Sequence, residues 1–130
     1  MKFGPNERLK TIMKTSLLLL LLPFVFWAQE STVKEESLFV ALYTVGENWD
    51  TEKSPNEQAF FKEHSAFLKK LRDTKVIVQG ARYGDTGMVV FKASGEETAE
   101  SLIRSDLAIQ NRLFNVKIYA FSPFYKGCIE

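Results

Sequence analysis

His64 is the only histidine in the 130-residue chain, and its surroundings decide what it can do. Phe60, His64, Phe67, Leu68 and Leu71 recur at the spacing of one helical face, so His64 falls on an apolar stripe. A histidine in that setting is ordinarily a core side chain bonded to a backbone carbonyl. To do chemistry it needs a partner and access to a ligand. Asp106 is the natural partner, because it follows a second expected helix that packs on the same sheet face. A carboxylate beside an imidazole sets its tautomer and makes it a better proton acceptor. Asp106 also reads as a cap on the short segment after it, and both readings stand. Around this pair, Arg82 and Arg112 are the cations placed to steady an anionic substrate. Tyr83 and Trp49 fall in expected loops, where they would line a pocket mouth or remain ordinary surface aromatics.

Other chemistries lack residues. A Ser-His-Asp triad would need Ser65 or Ser105 beside His64, but Ser65 adjoins it on the helix and points to another face. One histidine and one cysteine, Cys128 in the tail, do not make a metal-ligand set, and neither a metal nor a cofactor is expected. Gly80, Gly84 and Gly87 surround a hairpin rather than precede a helix, so they serve turns and not phosphate.

The elements that must position the pair follow from the hydrophobic pattern. Residues 38–45 are a continuous apolar and β-branched run, read as a buried strand. Ser54-Pro55-Asn56-Glu57 has the form of a capping box and predicts a helix start, leading into the His64 stripe. Val76-Ile77-Val78 begins a second strand running toward Gly80. Residues 82–87 predict a hairpin connection, and Met88 to Phe91 a third strand. Ser94-Gly95-Glu96-Glu97 repeats the capping pattern and opens a second helix with Ala99, Leu102 and Ile103 inward. Residues 113–121 alternate and form a fourth strand, with Phe114, Val116, Ile118 and Ala120 on one side. The order β-α-β-β-α-β predicts an α+β, ferredoxin-like fold, a four-stranded antiparallel sheet with both helices on one face. Strands this apolar leave little polar surface for the other face, which predicts a sheet-to-sheet homodimer.

Composition assigns these elements to one domain. The net charge of +1 conceals a split. Residues 1–28 hold Lys2, Arg8, Lys10 and Lys14 against Glu7 alone, and the other 13 basic groups face 15 acidic ones. A domain with that acidic excess and no basic run is a poor nucleic-acid binder. Leu17 to Leu22 is unbroken leucine, and the apolar run continues to Ala28. It is too short to span a bilayer, which needs about 20 apolar residues. Positive residues ahead of a short apolar core predict a signal peptide over 1–28, and hence a secreted or periplasmic protein without stable membrane insertion after cleavage. Residues 29–37 then form a flexible leader, and 38–130 the domain. Cys128 allows no internal disulfide, so the fold rests on its core.

Four stretches of the domain together resemble the YciI-like proteins (the YCII-related domain). They are His64-x-x-Phe67-Leu68-x-x-Leu71, Gly80 followed by Gly87-Met88-Val89-Val90, Glu96-Glu97-x-Ala99-x-x-Leu102 leading to Asp106, and the closing strand ending in Pro123-Phe124. The resemblance covers residues 38–125. It departs from the family pattern at Asp106-Leu107 and Gly80-Ala81, where the family has Asp-Pro and Gly-Pro, and in lacking a glycine near Arg112. It implies a dimeric α+β barrel with His64 and Asp106 in a cleft. Two functions remain open. One is a cofactor-free lyase or isomerase in which His64 is the general base and Asp106 orients it on a small aromatic or anionic substrate. The other is a non-catalytic binding or structural module with a buried His-Asp pair.

Overall fold

The computed structural model describes residues 35–125 and 127. The expected signal segment, most of the leader and Cys128 lie outside them. The elements are β1 (Ser37–Val45), α1 (Phe61–Asp73), β2 (Ile77–Tyr83), β3 (Thr86–Ala93), α2 (Glu96–Arg104), the short α3 (Leu107–Gln110) and β4 (Phe114–Ala120). The protein is α+β, with one four-stranded sheet in the order β2-β3-β1-β4. Every pairing is antiparallel.

Strand alternation separates the faces. Phe39, Ala41 and Tyr43 of β1 pair with Phe91, Val89 and Gly87 of β3 and point to the helices. Val116 and Ile118 of β4 join them, and α2 adds Ala99 and Ile103. Phe91 and Ile103 are fully buried. Each such side chain contributes about 1.5–3 kcal/mol by leaving water. Leu68 of α1 packs on the same cluster. On the other face Leu38, Val40, Leu42 and Met88 are half-buried, while Val78, Tyr83 and Tyr119 are about half exposed.

Two helix starts differ from expectation. The Glu57 carboxylate does accept from the Ser54 amide (3.0 Å) and hydroxyl (2.7 Å). That box closes only a single 3₁₀ turn, Pro55–Glu57. Phe60 has φ 65, a left-handed conformation that breaks the backbone before α1. Phe60 is therefore outside the stripe and partly exposed, while His64 and Leu71 are buried within it. At α2 the N-cap is Gly95 rather than Ser94, whose hydroxyl meets that of Thr98 at 3.1 Å instead. The hairpin is tighter than residues 82–87 suggested: Tyr83 pairs with Thr86, leaving Gly84-Asp85 as a two-residue turn. Gly84 has φ 53, which its missing Cβ permits.

Candidate functional site

α1 carries His64 on its inner face, one turn into the helix. α2 ends at Arg104, and the chain turns at Ser105 into α3 with Asp106 as N-cap. The Asp106 carboxylate divides its work. Oδ1 accepts from the Ala108 amide at 3.0 Å, and Oδ2 lies 2.5 Å from His64 Nδ1. The cap and the dyad are thus one side chain. Its side chain is fully buried, and that of His64 is 11% exposed. A carboxylate only accepts, so Nδ1 donates to it, and in the neutral ring Nε2 is the atom left to accept.

His64 also lines a cavity of about 400 Å³. That volume lies in the range of small-molecule sites. One wall is aromatic. The Phe114 ring is 4.8 Å from the His64 ring and Tyr43 meets it edge-on at 5.4 Å. Phe61 and Trp49 extend the wall around Phe114. The Tyr43 hydroxyl is buried without a hydrogen-bond partner among the described residues. Burial, and secondarily the charge of Asp106, push its pKa far above the usual phenol value, so it stays a neutral donor.

The loop that brings Trp49 to this wall is held by a buried glutamine. Gln58 accepts from the Asp50 amide (2.9 Å) and donates to the carbonyls of Asp50 (2.6 Å) and Lys53 (3.1 Å). Just before it, the Gly46 amide bonds Leu113 O at 2.8 Å. A Cβ on Gly46 would lie 2.8 Å from the Arg112 carbonyl carbon and closer still to its oxygen, so only glycine fits.

The structure gathers His64, Arg82 and Trp49 around the cavity, with Asp106 behind His64. Tyr83 and Arg112 do not join them. Tyr83 follows Arg82 on one strand and so turns to the opposite face, beside Leu42 and Lys117. Arg112, with φ 56, points its guanidinium to Glu47 at the surface. Both partners there are mostly exposed, so water screens the pair and it does little to hold the loop.

Arg82 reaches the cavity because of a bulge. The register shifts between Ile77 and Gln79, so Gly80 and Arg82 share the face of Ile77. Unbroken alternation would have turned Arg82 away, and an inserted residue reverses the strand's facing. Sequence reasoning also missed Tyr43, Phe61 and Phe114. The continuous apolar run over residues 38–45 marks Tyr43 only as core. Phe61 lies outside the apolar stripe, where nothing distinguishes it.

Among the described residues no three His, Cys, Asp or Glu side chains cluster as a metal site would require, and no helix is long and apolar enough to cross a membrane. No family model, curated protein or solved structure matches this chain.

Proposed function

We propose that this protein is a cofactor-free lyase or isomerase in which His64 removes a proton from a small carbon acid and Asp106 orients it. The observation that carries this reading is the 2.5 Å contact between Asp106 and His64 Nδ1, on a histidine that lines an aromatic-walled cavity. The carboxylate presets the neutral tautomer, leaving Nε2 as the base. General base catalysis contributes about 10²–10⁴-fold, which suits a substrate whose C–H is already acidic. Arg82 supplies the countercharge for an anionic group. On this reading the chain is a YciI-like protein of ferredoxin-like fold, supported by the element order, the strand order and the pairing of the two residues the resemblance singles out. The patch of Leu38, Val40, Leu42 and Met88 on the outer sheet face supports a sheet-to-sheet homodimer, which a monomeric mass by light scattering would remove. The N-terminal 28 residues act as an export signal, and an exported protein still carrying Leu17–Leu22 would refute their cleavage.

One observation favours the non-catalytic alternative: Asp106 is buried and caps α3, a structural duty in its own right. The variant His64→Ala separates the two. A folded protein that no longer exchanges or turns over a carbon acid supports the base. Retained exchange, or a loss of stability as the only effect, overturns it.

A further inference from the structure

The cavity owes its floor to side chains that are missing. Val116, Tyr43, Gly87 and Arg82 occupy one cross-strand row on β4, β1, β3 and β2, facing the helices. A Cβ on Gly87 would meet only Tyr43 Cβ, at 3.7 Å, an ordinary contact. Gly80 pairs with Val89 in the adjoining row, and the nearest atom to a Cβ there is Met88 O at 3.8 Å. Neither glycine has the positive φ or the crowding that would demand it. What they provide is space, and both line the cavity with His64.

The ends of this space differ. Tyr43 and Arg82 flank Gly87, so their Cα atoms stand two strand spacings apart, about 9.6 Å. Tyr43 offers a buried hydroxyl with no partner among the described residues. An unpaired buried donor is unfavourable until an acceptor reaches it. Arg82 is exposed at the rim and makes no ion pair with a described residue, leaving its guanidinium for a carboxylate. Phe114, on β4 beyond Tyr43, and Phe61 of α1 wall the Tyr43 end.

We propose that Gly87 and Gly80 floor a ligand slot that selects a planar carboxylate bearing a carbonyl oxygen at its far end, with the carboxylate at Arg82 and the carbonyl at Tyr43. This deepens the reading of His64 as a base: enolisation moves negative charge onto the oxygen that the Tyr43 hydroxyl meets. His64 takes the proton from the carbon beside the carbonyl, the C–H electron pair becomes the C=C bond, and the C=O pair moves to oxygen. Return of the proton to carbon completes an exchange without any co-reactant.

The test uses 4-acetylbenzoate, with benzoate and acetophenone each lacking one end. Titration calorimetry reads binding, and deuterium entry at the acetyl methyl reads base chemistry. 4-Acetylbenzoate is expected to bind about tenfold tighter than either truncated probe, the scale of one good polar contact. Tyr43→Phe should remove the advantage over benzoate, and Arg82→Gln that over acetophenone. Tyr43→Phe should also melt no lower than the parent, since it deletes an unpartnered hydroxyl. Gly87→Leu should abolish binding of all three probes. Gly87→Ala, whose methyl has ordinary clearance, should fold and weaken binding partially. Equal affinity for the three probes, no saturable binding of 4-acetylbenzoate, or undiminished binding by a folded Gly87→Ala or Gly87→Leu variant would overturn the slot. Ordered binding without His64-dependent exchange would leave the slot standing and refute the base.

Discussion

Replacing Asp106 tests the architecture and the chemistry of the site at once. Asp106→Ala deletes the Oδ1 cap on Ala108 and the Oδ2 bond to His64 together. Loss of an N-cap costs about 1 kcal/mol. Loss of a hydrogen bond to a charged group adds about 1.5–3 kcal/mol. The total lands near the ~3–5 kcal/mol typical of breaking a buried pair by removing one partner, because His64 is left with a buried, unmatched N–H. For a domain of this size each kcal/mol lowers Tm by about 4–8 °C, so the expected drop is at least ~10 °C. Asp106→Asn separates the effects. Its carbonyl oxygen can keep the Ala108 cap and its volume is nearly the same, so it should cost less than half as much. Its amide faces Nδ1 as a donor, which selects the opposite tautomer and turns Nε2 from acceptor into donor. The expected result is a well-folded Asn variant with carbon-acid exchange as low as in His64→Ala. Calorimetric melting and deuterium exchange on the two variants are the assays. If Asp106→Ala costs under about 1 kcal/mol, or the Asn variant keeps exchange, the shared-carboxylate argument is wrong.

Two further outcomes follow from single residues. Tyr43 holds its proton more tightly folded than unfolded, so its contribution to stability is whole below the ordinary phenol pKa of about 10 and declines as pH rises past it, where only the unfolded chain ionises. Urea unfolding above pH ~10 should weaken the parent more steeply than Tyr43→Phe; parallel curves would contradict the burial of this phenol. Gly46→Ala should destabilise the fold by about 1–3 kcal/mol or more, since its methyl strikes the Arg112 carbonyl group. An unchanged urea midpoint would show that β1 and the segment before β4 do not pack this closely.

Much of the fold could be read along the chain because its signals are local. Apolar runs and helical periodicity mark strands and helices within a few residues, and residues 38–45, the stripe from His64 to Leu71 and the alternation after Leu113 lie where those signals put them. The helix starts were less legible. A capping box satisfies the backbone of one turn, whether that turn continues or stops, and the left-handed Phe60 that stops it has no sequence signature.

The site divides along the same line. Residue type alone limited the chemistry to one imidazole and nominated Asp106, since an acid able to cap can also orient. That the two meet at 2.5 Å depends on how α1 and the turn before α3 pack, a contact across 42 positions that no local pattern encodes. The choice of Arg82 over Tyr83 rests on one extra residue in β2, because a bulge inverts the facing of everything after it. The slot itself is a matter of register. Gly87 reads as a turn glycine in the chain, and becomes the floor between Tyr43 and Arg82 only when three strands align. Strand pairing is non-local, and a cavity is defined by side chains that are absent, so neither leaves a periodic trace in the sequence.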